Sequence, residues 1–527
     1  MLTPQQRVAG LSPDLVRSVE MIELALRQQR FDDAERELVA VMARAPNHPE
    51  ILRLGGVVHS RRGRLQAARE MLTRALSQRT DDALIYNELG GLHERTGDVL
   101  LALNAFVRAS ELAPELPAVW LNLARQRLRN AETPAAIDAL RRTLELEPRH
   151  LRARAMLAEI FRTQGRFTEA VAEYRGILST DARNGSAWWN LAQLKPMPLG
   201  PDDVATMRGV LQRRDIAPSD VIAIHFALAV AHEHAADYHA AFDELQAGHA
   251  LAARGEPYDA AEFSKQLDAI LRAFSPATQC AEPELGGEII FIASLPRSGS
   301  TLTEQILATH SMVEGSSELH DLGEVLMGEC ARLHSAFTDW ARTHSSQEWH
   351  ALGKKYLERT QRWRIHRPRM TDKMPANWMY IGAILAMLPQ ARVVICRRDP
   401  LETCLACYRY IFSKHPYTHD FSALAAHWRD FDRAVHQWQA LYPNQIRVQE
   451  YEALVADPEA QIRELLAFCG LPFEEACLNF HSTAREVNTP SAAQVREPLR
   501  KDTARSGKYG ALLDPLRKAL GLPPFGA

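Results

Sequence analysis

Pro296-Arg297-Ser298-Gly299-Ser300-Thr301 holds the side chains best suited to gripping an anion. Small residues in a turn let backbone N–H groups converge, and the amphipathic stretch Leu302 to His310 would place a helix N-terminus behind them. A nucleotide-hydrolysing P-loop needs GxxxxGK[ST], in which Lys reaches the terminal phosphates and the hydroxyl binds magnesium. Here Gly299 is followed by Ser300 and Thr301, and Arg297 is the loop's only cation. A guanidinium fork with hydroxyls suits a phosphate or sulfate held without a metal. Arg397-Arg398-Asp399-Pro400 is a second basic turn, opening a helical segment from Leu401 to Phe412. Cys404 and Cys407 form a single CxxC with no thioredoxin-like context, which reads as buried helix cysteines. His232 and His234 would project about 200° apart on a helix, which argues against a shared metal. Trp428, Phe431 and Trp438 at near-helical spacing read as core.

Both basic turns follow apolar runs. Glu288 to Ser294, Ala391 to Cys396 and Gln445 to Gln449 read as strands, each leading into a helical segment. Alternation of this kind predicts a mainly parallel α/β sheet whose ligands bind at the carboxyl ends of the strands. The first half has a different period. Ala34, Ala68, Ala102, Ala136 and Ala170 are spaced evenly, Gly63, Gly97 and Gly165 keep the same interval with Ala131 filling the gap, and Pro46, Pro114 and Pro148 follow it too, with Thr80 between. Each unit reads as two helices, with the small residue at their crossing, the Gly in their turn and the Pro ending the second helix. This half resembles the tetratricopeptide family, an all-α solenoid, over residues 15–195.

Lys195 to Pro201 is a breaker cluster, after which residues 196–275 read as a further helical repeat and linker closing the stack. Residues 1–14 form a lead, 287–515 the α/β domain and 516–527 a tail. A net charge of −3 argues against a nucleic-acid surface. The first residues lack a signal-peptide pattern and no apolar stretch is long enough to span a bilayer, so a soluble, cytoplasmic protein is expected. All seven Cys lie beyond residue 279, which fits reduced thiols rather than a disulfide framework. The oligomeric state has no signature in the sequence.

With both basic turns in place, the α/β domain resembles sulfotransferases that use 3'-phosphoadenosine 5'-phosphosulfate (PAPS), and among them the tyrosylprotein sulfotransferases and their bacterial relatives fused to tetratricopeptide repeats. The resemblance implies a P-loop-like fold in which Arg297, Ser298, Gly299, Ser300 and Thr301 bind the 5'-phosphosulfate and Arg398 binds the 3'-phosphate. It further implies that Glu318, 21 residues after the loop Arg, is the catalytic base, and that Lys373, 25 residues before Arg398 in a Lys-x-Pro context, assists Arg297 in catalysis. Tyr451, Ser491 and Lys508 match further cofactor contacts. The family's Ser eight residues after the 3'-phosphate Arg is Ala406 here, so its hydroxyl is missing or comes from Thr403. Ser316, Ser317 and His320 stand where the tyrosylprotein branch carries charged substrate contacts. The expected function is sulfuryl transfer to an acceptor hydroxyl, leaving adenosine 3',5'-bisphosphate (PAP), with no metal required. A protein or peptide is expected on the concave face of the repeats. A non-catalytic scaffold with a nucleotide-binding domain and an NTP-dependent kinase are the competing readings; the missing P-loop Lys counts against the kinase.

Overall fold

The computed structural model describes residues 2–527 except 131, 198, 256, 276–279, 413–414, 484, 486–488, 490–493 and 501–502. By contacts the chain forms two compact units, one of residues 1–160 and 172–180, the other of residues 161–171 and 181–527.

The first unit is built of paired helices, among them Phe31–Arg44, Pro49–Arg61, Leu65–Gln78, Ala83–Thr96, Val99–Leu112, Pro117–Arg129 and Thr133–Leu146. Its period is explained by packing. Ala34, Ala68, Ala102 and Ala136 are fully buried, because a larger side chain would hold the crossing helices apart. Gly63 and Gly97 adopt φ of +79° and +81° in the turns between helices, a conformation that an L side chain resists. Helices Phe31–Arg44, Val99–Leu112 and Thr133–Leu146 each end two residues before a Pro.

The second unit contains a five-stranded, all-parallel sheet: β1 Ile289–Ser294, β2 Val313–Gly315, β3 Arg369–Lys373, β4 Arg392–Arg397 and β5 Ile446–Glu450, in the order β2-β3-β1-β4-β5. All six residues of β1 are buried, as expected for a central parallel strand covered on both faces. Ile289, Phe291 and Ala293 pack into a core with Trp349, Trp378, Phe431 and Trp438, while Ile290 and Ile292 pack against Ile306, Leu307 and Leu466 on the other face. Trp428 lies at the edge of the first of these cores. Strand order reverses about β1, so a ligand crevice is expected at its carboxyl end.

The hairpin of helices Pro218–His234 and Tyr238–Ala252, which the repeat phase assigns to the end of the solenoid, belongs to the same compact unit as the sheet. Phe226, Phe242 and Leu245 share a core with Leu401, Leu405, Tyr408 and Tyr509. His249 stacks on Tyr408 at 3.9 Å and hydrogen-bonds its carbonyl oxygen at 2.6 Å. Glu233 forms an ion pair with Arg409. All seven cysteines are free. Cys404 and Cys407 are buried on helix Pro400–Tyr408, and burial pushes the Cys407 thiol up to about 12, away from thiolate chemistry. Among the described residues no helix is long and apolar enough to cross a membrane.

Candidate functional site

β1 delivers the loop Leu295–Gly299 to the carboxyl edge of the sheet, and helix Ser300–Thr309 begins immediately after it. Gly299 has φ +93°, and a Cβ there would lie 2.9 Å from Cδ2 of Tyr451. Glycine is thus required both by the backbone and by the neighbouring ring. Among the described residues five non-glycine positions have positive φ. Gln29, Ala236 and His334 end helices, where this conformation is common. The other two, Arg297 at +67° and Ser317 at +63°, lie in the loops after β1 and β2. Holding such residues costs about 1–2 kcal/mol each, and strain of this kind collects where geometry serves a ligand.

Ser298, Ser300 and Thr301 are buried, and the Thr301 hydroxyl lies 3.3 Å from that of Thr489. The Arg297 guanidinium sits over the Tyr410 ring, 5.6 Å from its centroid. Burial lowers its pKa from the ordinary value, and the positive charges of Arg409 and Arg398 act in the same direction. The positive charge gathered here is what a polyanion would neutralise.

The two arginines after β4 separate in role. Arg397 pairs with Asp432 and Glu450 and lies over Trp428. Arg398 turns toward the loop: its guanidinium lies 4.8 Å from the Tyr451 ring centroid, and Nη1 donates to the Arg297 carbonyl oxygen at a long 3.4 Å. Its Nη2 reaches Glu402 at 3.4 Å, and its buried Nε has no hydrogen-bond partner among the described residues. Buried donors are seldom left unsatisfied, so this Nε retains hydrogen-bonding capacity. Tyr451 opens the helix after β5, and its hydroxyl lies 3.2 Å from that of Thr503.

Thr403 is buried, and its hydroxyl donates to the Arg398 carbonyl oxygen, just before the start of its helix, at 3.3 Å. Lys508 lies exposed on the short helix Ser506–Tyr509, and Ser491 falls outside the described residues.

β3 brings Lys373 beside Ile292 of β1, two residues before β1 ends. Its side chain is 0% exposed, and its ammonium donates to the Glu318 carboxylate at 2.5 Å. Glu318 is 38% exposed along its side chain, so an incoming molecule can reach it while Lys373 stays screened from water. The loop bearing Glu318 is tied to β3: the Ser316 hydroxyl donates to the Thr371 carbonyl oxygen, and the Lys373 N–H donates to that of Ser317 at 3.1 Å. His415 is held down from its ordinary pKa by burial, against the pull of the Glu318 charge. Its ring packs on Phe412 and Tyr417.

The structure therefore gathers Arg297, Ser298, Gly299, Ser300, Thr301, Lys373, Arg398 and Tyr451 at one sheet edge, with Glu318 bonded to Lys373. Sequence reasoning missed Glu402, whose carboxylate accepts the N–H groups of Arg505 at 3.0 Å and Ser506 at 2.8 Å and so ties the C-terminal segment to the Arg398 helix. It also missed Glu233, which pairs with both Arg409 and Arg505 from the helical hairpin. A carboxylate two residues beyond the apolar run Ile222 to Ala231 was the available signal.

A strand-loop-helix edge at the carboxyl end of a parallel sheet, with a nearby Lys–Glu pair, is an arrangement that group-transfer and nucleotide-binding domains share. Residues 289–475 match the model of the sulfotransferase family, and residues 25–90 and 121–187 match models of tetratricopeptide repeats. The chain thus joins tetratricopeptide repeats to a sulfotransferase-family domain. It is 28% identical over 400 residues to an uncharacterized protein of Aquifex aeolicus (strain VF5), covering 73% of this chain and 52% of that one. The chain therefore spans about half the length of that relative. Over 250 residues it is 25% identical to a "Putative protein-tyrosine sulfotransferase" of Caenorhabditis briggsae, covering 45% of this chain and 87% of that protein. Among solved structures, a crystal structure of MamA aligns with 23% identity over 32% of this chain and 97% of MamA, with a TM-score of 0.28.

Proposed function

We propose that this protein is a PAPS-dependent sulfotransferase that modifies an acceptor hydroxyl, with the phenol of a protein or peptide tyrosine as the favoured acceptor and the repeats binding that acceptor or its carrier. The observation that carries the reading is the Lys373–Glu318 pair beside an anion loop whose Arg398 keeps a buried donor unspent. A module that only bound nucleotide would need the loop and Arg398 but not a reachable carboxylate held on a buried ammonium.

The residues fit the donor. The Ser298–Thr301 turn and Arg297 would hold its phosphosulfate, and Arg398 and Tyr451 its 3'-phosphate end, with Ser491 and Lys508 as further contacts. The donor supplies an activated sulfuryl group. Glu318 accepts the proton of the acceptor hydroxyl as the new S–O bond forms and the bond to the bridging phosphate oxygen breaks, leaving PAP. Lys373, Arg297 and the loop N–H groups offset negative charge developing on the bridging and equatorial oxygens. The likeness to a putative protein-tyrosine sulfotransferase supports a phenolic acceptor. We place the reaction in the cytoplasm.

Calorimetric titration with PAP in EDTA, beside ATP with magnesium, tests the donor assignment. PAP should bind without metal and more tightly than ATP. Tighter ATP binding, with magnesium-dependent turnover, would overturn it. Transfer of labelled sulfate from PAPS to tyrosine peptides, glycans and small phenols then identifies the acceptor.

A further inference from the structure

Glu304 takes no part in the chemistry proposed above, yet it is a fully buried carboxylate beneath the site. It lies on helix Ser300–Thr309 between Leu302 and Ile306, where an acid is tolerated only if its oxygens are engaged. One oxygen, Oε1, accepts the Ser317 N–H at 2.8 Å and the Thr371 hydroxyl at 3.1 Å. The other, Oε2, accepts from Arg485 Nη2 at 2.7 Å. Arg485 is itself steadied by its Nε bond to Gln305 at 2.8 Å. It passes so close to Gly315 that a Cβ there would lie 1.7 Å from its Nη1. The consequence falls on one peptide. Ser317 has its N–H held by Glu304 and its carbonyl by the Lys373 N–H, and it is fixed at φ +63° immediately before Glu318.

We propose that Glu304, backed by Arg485, is a positioning residue that acts through Ser317 to aim Glu318 at Lys373 and the reacting centre. This rests on the reading of Glu318 as the base. It makes the helix behind the anion loop a common support for both halves of the site: its N-terminus faces the donor phosphate, and a side chain from its second turn sets the direction of the base.

A purely structural role, in which Glu304 only neutralises Arg485, makes a different prediction. The full-length double variants Glu304→Gln/Arg485→Met and Glu304→Leu/Arg485→Met both remove the ion pair, but only the first keeps an oxygen for the Ser317 N–H. The positioning role predicts kcat close to wild type for the Gln variant. The Leu variant should lose about 100-fold in kcat, the scale of a misplacement near 1 Å, with PAP affinity unchanged. In a Glu318→Ala background the Leu variant should cost nothing further. Hydrogen exchange over residues 313–320 gives a readout independent of activity: protection of the Ser317 amide should be retained with Gln and lost with Leu. Glu304→Met, unbranched and similar in length, replaces Leu if that variant does not fold. Equal exchange and equal kcat in the two doubles would overturn the proposal. Absence of sulfuryl transfer by the wild type, with the exchange difference intact, would overturn the reading of Glu318 and leave the positioning of its loop standing.

Discussion

Removing either partner of the Lys373–Glu318 pair breaks the same 2.5 Å contact, yet the two removals should have unequal effects on stability. The Lys373 side chain is 0% exposed, whereas Glu318 is 38% exposed. In Lys373→Met the carboxylate can turn to water and the vacated space is filled by a side chain of similar length. The cost should stay within about 1 kcal/mol, the range of an exposed pair. In Glu318→Leu an ammonium remains buried with its partner gone and water kept out, a situation that costs about 3–5 kcal/mol. The double variant should recover most of that loss. Urea unfolding followed by tryptophan fluorescence is the natural assay, because of nine tryptophans only Trp120 lies in the first compact unit. Equal costs, or a larger cost for Lys373→Met, would refute the geometry on which the catalytic assignment stands.

Gly299→Ala should weaken PAP binding and lower the melting temperature together. It places an Ala at φ +93° for about 1–2 kcal/mol and drives a methyl against the Tyr451 ring beneath Arg398. Calorimetry and thermal melts unchanged from wild type would contradict this. Arg398→Met should raise the PAP dissociation constant about 10- to 100-fold, from the loss of charge-assisted hydrogen bonds worth about 1.5–3 kcal/mol, while 5'-AMP, lacking the 3'-phosphate, should lose much less. A third prediction concerns acid. Burial holds His249 down at about 4 against an ordinary 6.5, with the nearby His419 acting in the same direction. The unfolded chain therefore binds the proton first as pH falls, so the contribution of His249 is full above pH 6.5 and is lost on the way down to 4, by about 3 kcal/mol. His249→Gln, which keeps a hydrogen-bonding group but does not titrate, should flatten that part of the stability–pH curve; an unchanged slope would count against it.

The solenoid could be read from single residues because its constraints are local. Ala34, Ala68 and Ala102 mark helix crossings and Gly63 and Gly97 mark turns, wherever the repeats lie in the chain. The anion loop was legible for the same reason, since its chemistry is carried by six consecutive residues. β3 was not. Arg369-Met370-Thr371-Asp372-Lys373 has neither an apolar run nor an alternation, and its polar residues are buried because distant groups satisfy them: Tyr356 for Asp372, Glu304 for Thr371 and Glu318 for Lys373. β2 is too short, at three residues, to leave a pattern. The hairpin 218–252 was read as the end of the repeats, and its helical pattern gave no hint of the sheet-domain partners that Glu233 and His249 find in Arg409 and Tyr408. Glu318 and Lys373 entered only through their intervals from the two arginines, a resemblance to a family rather than a property of their surroundings.

The most direct test is single-turnover transfer of labelled sulfate from PAPS to the best acceptor, wild type against Glu318→Ala, with PAP affinity measured on both proteins. The account predicts transfer by the wild type, loss of about 100-fold or more in the variant as expected for a general base, and PAP binding preserved in both. Equal transfer by the variant, or PAP binding with no transfer to any hydroxyl by the wild type, would contradict it.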